Sequence, residues 1–139
     1  MKFLPALFLS VLTAVAADGP KQSIERLDPA LDALIASDAK IETISNGGYS
    51  WSEGPVWYKG RIVFSDVPKN IAYQWIEGDA MASVFLQPSG TDAPSANQGS
   101  NGLSVDAQGR MLLCQHGSRR VARLGGDGKF EPLATKNHE

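Results

Sequence analysis

The sequence predicts an all-β protein built from repeated four-stranded units. Three observations carry that expectation. From residue 41 onward, short apolar runs alternate with Gly, Asn, Asp and Pro turn signals. A pattern of Ser-x-Gly, apolar run, Gly-Arg and second apolar run occurs twice, with Glu53 and Asn101 at the same place 48 residues apart. Hydrophobic residues make up 42% of the 139 and charged residues 20%, which is enough apolar surface for a packed core.

The chain begins with a different texture. Lys2 is followed by a nearly continuous apolar run over 3–15, and Ala14-Val15-Ala16 offers a small-x-small signal-peptidase pattern, with cutting before Ala17 or Asp18. Residues 1–17 are therefore expected to be a signal peptide, and the mature protein periplasmic or secreted. The run is short for a membrane span, so no membrane association is expected after cleavage. Residues 18–40 are expected to form an N-terminal extension with a short helix over 28–36. There Asp28 can cap, Pro29 suits the first turn, and Leu31, Leu34 and Ile35 share one face. So short a helix is expected to pack on the outside of something larger.

After an apolar run at 41–44, strands are expected at 55–58, 61–65, 71–75 and 81–86, and again at 103–105, 111–114, 121–124 and 130–133. A loop over 88–100, rich in Ser, Gly, Pro and Asn, separates the two sets. Pro55-Val56-Trp57-Tyr58 falls on Leu103-Ser104-Val105-Asp106, and Lys59-Gly60-Arg61 falls on Gln108-Gly109-Arg110 after one extra residue at Ala107. Four short strands in a unit of about 48 residues is the pattern of a β-propeller blade. A sandwich is the alternative with the same strand density. Propellers close with four or more blades, and residues 41–139 have room for two. The chain is thus expected to be a piece of a longer propeller, cut after its second blade.

Net charge is −2, from 13 basic and 15 acidic side chains with no Lys/Arg-rich run, so no nucleic-acid surface is expected. Arg119-Arg120 is expected to be a solvated strand end. The single Cys114 excludes an internal disulfide and a thiolate metal cage, and is expected to be a small buried hydrophobe. Trp51, Trp57 and Trp75 could line a sugar site, but core positions between blades are preferred for Trp57 and Trp75. Asp66, before Val67-Pro68, is expected to serve a turn rather than a channel mouth.

Ser52-Glu53-Gly54-Pro55-Val56-Trp57 places a carboxylate at the start of a buried strand, where charge is costly without a partner. In a propeller the first strand of each blade lines the central channel, and Glu53 and Asn101 hold the same place in successive blades. A carboxylate and an amide at a channel mouth are oxygen donors for a hard divalent cation, and could also hold a polar ligand. The alternative is a simple turn that tolerates any polar residue between Ser and Gly.

The motifs occur in a specific order. Ser-Glu-Gly-Pro-Val-Trp at 52–57 is followed by Gly-Arg-Ile-Val-Phe-Ser-Asp-Val-Pro at 60–68 and Pro-Ser-Gly at 88–90. Ser-Asn-Gly-Leu-Ser-Val-Asp-Ala-Gln-Gly-Arg at 100–110 and Cys-Gln-His-Gly-Ser-Arg-Arg-Val at 114–121 come next. Over 41–139 the chain resembles the SMP-30/gluconolactonase/LRE-like family. The resemblance implies a six-bladed β-propeller in the intact protein, of which this chain holds about the first two blades plus the short N-terminal helix. It implies a divalent metal in the channel and hydrolysis of a sugar lactone such as gluconolactone.

Carried over residue by residue, the resemblance makes Glu53 a metal ligand. It places Asn101 beside the metal, in contact with substrate or a metal-bound water, and His116 near the pocket. Gln115 stands where many members carry glutamate. The remaining ligands and the general base are expected beyond Glu139, so the 139-residue piece is expected to be inactive by itself. Oxygen donors favour calcium, with magnesium, zinc or manganese as alternatives. The expected partner is a small-molecule sugar lactone. A non-catalytic sugar-binding or scaffold propeller in the periplasm is the competing expectation, because fold analogy does not fix chemistry.

Overall fold

In Arg61-Ile62-Val63-Phe64-Ser65-Asp66, successive strand side chains point to opposite faces, so Val63 and Ser65 share one face and Ile62 and Phe64 the other. The computed structural model describes residues 23–91 and 98–135 and contains eight strands. The first four are β1 (Ser52–Tyr58), β2 (Arg61–Asp66), β3 (Ile71–Trp75) and β4 (Ser83–Leu86). The second four are β5 (Ser100–Val105), β6 (Met111–Gln115), β7 (Arg120–Leu124) and β8 (Phe130–Ala134). Each set forms one antiparallel four-stranded sheet in chain order. β1 and β5 begin earlier than the apolar runs suggest, because Ser52-Glu53-Gly54 and Ser100-Asn101-Gly102 join the ladders. The apolar run at 41–44 forms no strand.

The two sheets repeat each other in detail. Register shifts fall between Glu53 and Val56 in β1 and between Ser100 and Leu103 in β5. They recur between Ala72 and Tyr73 in β3 and between Val121 and Ala122 in β7. Pro55 has no N–H to donate, which suits such an irregularity. Asn70 and Arg119 each precede the third strand of their sheet, and both have positive φ, 57° and 47°. The first hairpins differ as the extra residue predicts. Lys59-Gly60 is a two-residue turn with φ of 48° and 81°, the primed type that matches strand twist. In the second sheet Asp106 N donates to Arg110 O at 2.9 Å and closes a longer loop. The Asp106 carboxylate accepts from Arg110 N and Gln108 N, each at 2.9 Å, and from Arg110 Nε at 2.7 Å. The Arg110 N–H, with the guanidinium and Gln108 N–H behind it, holds this carboxyl below its ordinary value of 3.8.

The sheets pack through Val63 and Ala72 of the first against Met111 and Leu113 of the second, all fully buried. Val56, Tyr58, Leu103 and Phe130 surround them. Burying each of Val63, Met111 and Leu113 contributes about 1.5–3 kcal/mol. The first strands approach most closely at Gly54, whose φ is +56°, and a Cβ there would sit 2.6 Å from Asn101 O and 2.7 Å from Leu103 N. Both the backbone angle and the space require glycine. On the other face of the first sheet, the Tyr49 ring meets Phe64 and Tyr73 edge-on at 5.0 and 5.1 Å.

The same alternation corrects three expectations. Cys114 is exposed, because Met111, Leu113 and Gln115 take the inward positions of β6. Trp57 is 63% exposed, because Val56 and Tyr58 face the second sheet. Arg120 is half-buried, with Nε on Gln115 Oε1 and the guanidinium 5.9 Å from the Phe130 ring centroid, so it is not a solvated strand end.

The chain divides into two compact units, Met1–Glu42 and Thr43–Glu139. Within the first, a 3-10 helix spans Pro29–Ala33, shorter than the expected helix. Asp28 caps it by accepting from Ala30 N at 2.7 Å. None of its residues is buried, and a short helix without a buried face is marginal. The expected signal peptide and His138 lie outside the described residues. Among the described residues no helix is long and apolar enough to cross a membrane.

Gly54→Ala is expected to cost about 2–5 kcal/mol, the sum of left-handed strain and a backbone clash. Gly60→Ala carries the strain without the clash, since nothing lies within 4 Å of its Cβ, and is expected to cost about 1–2 kcal/mol. Urea unfolding midpoints of the two variants check the difference; equal losses would remove the close approach as its cause. Asp106 contributes stability above its ordinary value, and that contribution is lost as pH falls through the lowered folded value. The advantage of the parent over Asp106→Asn is expected at pH 7 and should shrink once pH passes below 3.8. A pH-independent advantage would contradict the assignment.

Candidate active site

Antiparallel pairing brings the start of each first strand beside the end of each second strand. Ser52 faces Asp66, and Ser100 faces Gln115. The contact of Gly54 with Asn101 and Leu103 sets these two ends side by side. The Ser65 and Ser100 hydroxyls, 2.7 Å apart and buried, bridge the two sheets there.

Three candidate residues from the sequence share this end. Glu53 is half-buried, one residue before the glycine contact, and its Oε1 accepts from Trp51 Nε1 at 3.0 Å. Asn101 is half-buried at the equivalent place in β5. His116 is exposed in the turn after β6, and its backbone N donates to Gly99 O at 3.3 Å, which ties the turn to the start of β5. Among the described residues, neither the Asn101 amide nor the His116 imidazole has a hydrogen-bond partner, so both are open to a ligand.

The other polar groups at this end are occupied. Asp66 is fully buried; its carboxylate accepts from Ser50 N at 3.0 Å and Trp51 N at 3.3 Å, and pairs with Lys69 Nζ at 3.2 Å. Gln115, at the same register position of the second sheet, is also buried. Its Nε2 donates to Ser89 O at 3.0 Å and its Oε1 accepts from Arg120. Ser89 Oγ in turn accepts from Ser100 N at 3.0 Å. Asn70 Oδ1 accepts from Ser89 N at 3.1 Å and Gly90 N at 2.7 Å, and Asn70 Nδ2 donates to Thr91 O at 2.9 Å. Asp66 and Gln115 therefore anchor backbone, and Gln115 has no acidic role.

Sequence reasoning missed the Trp51–Glu53 bond and the part played by Asn70. For Asn70 a signal existed: asparagine is enriched at left-handed positions, and it precedes an apolar run. For Trp51 the signal was only its closeness to Glu53.

Glu53 and Asn101 are oxygen donors of the kind a hard cation prefers. Among the described residues no three His, Cys, Asp or Glu side chains gather to hold a metal ion, so the donors fit in chemistry but do not complete a shell. A cleft among Leu86, Pro88, Arg120, Lys129 and Phe130 lies apart from Glu53, Asn101 and His116.

No family model matches the chain. It is 39% identical over 108 residues to a gluconolactonase of Zymomonas mobilis, a match covering 73% of this chain and 30% of that protein. The fold is similar to that of a Xanthomonas campestris gluconolactonase described as important in glucose secondary metabolic pathways. There the TM-score is 0.62 at 32% identity, over 78% of this chain and 34% of the other. The chain is gluconolactonase-like. A structural-genomics target assigned as a gluconolactonase gives a TM-score of 0.52 at 32% identity, over 63% of this chain and 28% of its own. The gluconolactonase-like chain thus spans about a third of the length of the relatives it matches.

Replacing Gln115 by Ala would leave Ser89 O and the Arg120 guanidinium without their partner. The expected cost is about 1–3 kcal/mol. Gln108→Ala, on an exposed loop, is the control and is expected to change little. Equal urea midpoints for the two variants would show that the buried network does not support this end of the sheets.

Proposed function

We propose that the intact protein carrying these residues hydrolyses a sugar lactone on a six-bladed propeller, with its site at the end of the sheets that holds Glu53. The observation that carries this reading is that Glu53, Asn101 and His116 lie at the same end of the two sheets, in a chain 39% identical over 108 residues to a gluconolactonase. A lactone is a cyclic ester. Water adds to its carbonyl carbon, the ring C–O bond breaks, and the product is a hydroxy acid. The barrier lies in the oxyanion that forms on the carbonyl oxygen.

A bound divalent cation, calcium first and magnesium, zinc or manganese otherwise, would polarise that carbonyl and acidify a water. Glu53 would supply negative charge to it through the carboxylate oxygen that Trp51 leaves free. Asn101 can offer its carbonyl oxygen to the same cation, or its N–H to water or substrate. His116, exposed and unpartnered at the rim, can hydrogen-bond sugar hydroxyls. Asp66 is not the general base, because its oxygens are taken by backbone N–H groups and Lys69. We place the base, with the remaining cation donors, beyond Glu139. The 139-residue chain alone is then inactive, and the leader over 1–17 would direct the protein to the periplasm or the medium.

Glu53→Gln keeps the shape of the side chain and removes its charge. In the intact protein it is expected to lower kcat/KM for gluconolactone at least ~100-fold, with the melting temperature little changed. Turnover equal to that of the parent would sink the assignment of Glu53 and favour a binding or scaffold role for this end.

A further inference from the structure

The backbone before the two first strands is built alike. Val67 N donates to Trp51 O at 3.1 Å in the first sheet, and His116 N donates to Gly99 O at 3.3 Å in the second. Trp51 and Gly99 thus hold the same place, each two residues before the site side chain. The sheet that carries the carboxylate has an indole there, and the sheet that carries the neutral amide has none.

That indole N–H is directed at the carboxylate. Trp51 Nε1 donates to Glu53 Oε1 at 3.0 Å, although Trp51 is 59% exposed and water could take the N–H instead. The backbone of Trp51 is held at both ends: N by the buried Asp66 carboxylate, and O by Val67 N. Lys69 and Ser50 N hold Asp66 in turn. Indole is a donor only, so it can orient a carboxylate without taking its charge.

We propose that Trp51 is a positioning residue for Glu53: its indole N–H holds Oε1 and turns Oε2 toward a divalent cation at the end of the sheets. This rests on the proposed role of Glu53. Partners that orient a ligating group typically matter 10–100-fold to metal affinity. Trp51→Phe keeps a ring and loses the donor, so it should weaken the cation site by about that factor. The effect should need the carboxylate: in a Glu53→Gln background, Trp51→Phe should change nothing further.

The experiment uses the intact protein, 15N-labelled, with the chlorides of calcium, magnesium, zinc and manganese as probes. Cation affinity is read by calorimetry and the Trp51 indole N–H by NMR. The expected result has four parts. Glu53→Gln abolishes cation binding and moves the indole resonance. Trp51→Phe weakens binding about 10–100-fold. The double variant matches Glu53→Gln. Trp51→His, which restores an aromatic N–H donor, recovers part of the affinity; this separates a lost donor from lost packing if Trp51→Phe also lowers Tm. If no cation binds the parent, or Glu53→Gln leaves binding unchanged, the metal role of Glu53 fails and the proposal with it. If Glu53→Gln abolishes binding while Trp51→Phe binds as the parent does, Trp51 alone is overturned. An indole resonance unmoved by Glu53→Gln overturns the hydrogen bond itself.

Discussion

The close approach at Gly54 is the constraint on which the rest of the molecule depends. There the first strand of one sheet lies against the backbone of Asn101 and Leu103 in the other, with no room for a Cβ. The positive φ turns the chain, and Pro55 follows without an N–H to donate. The register of β1 shifts across this pair. A charged side chain at the start of a buried strand is thereby moved to the end of the sheet, where water can reach it. The same contact brings the backbone beside Glu53 against that of its counterpart Asn101.

Around that contact the polar residues divide into two classes by what they touch. Asp66, Gln115, Ser65, Ser89, Ser100 and Asn70 are hydrogen-bonded to backbone, to one another, or to Lys69 and Arg120. Buried groups of this kind must be paired, and a fully paired network is stiff. Asn101 and His116 have no partner among the described residues, and Glu53 has one oxygen held and one open. A stiff polar frame presenting a few unspent groups is the arrangement that binding sites need. It distinguishes this end of the sheets from the end with the Asp106 hairpin, where the polar groups are spent on the turn.

The repeat also shows how one backbone plan serves two chemistries. Asp66 and Gln115 stand in the same register position, as do Trp51 and Gly99. The acidic member clamps the chain before Glu53, whereas the amide ties Ser89 and Arg120 in the second sheet. Similarity to gluconolactonases covers about three quarters of this chain but only about a third of those proteins. The shared end thus presents one polar side chain from each sheet, Glu53 and Asn101, of different charge and with different support.

Much of this was legible in the sequence. The eight strands followed from short apolar runs separated by Gly, Asn, Asp and Pro turn signals. The equivalent positions of Glu53 in β1 and Asn101 in β5 followed from the internal repeat, because equivalent residues in equivalent units land at equivalent places. The side to which each strand residue points did not follow. Cys114 and Trp57 are apolar or nearly so, and nothing local says that Met111, Leu113, Val56 and Tyr58 take the inward positions instead. Nor could local pattern say that Asp66 and Gln115 anchor backbone, or that Trp51 holds Glu53. The sequence by itself determined the strands, their order and the equivalence of the two units, all of which rest on contacts between near neighbours. The tertiary structure decided which faces are buried and which polar groups remain unspent, because those depend on the packing of one sheet against residues almost fifty positions away.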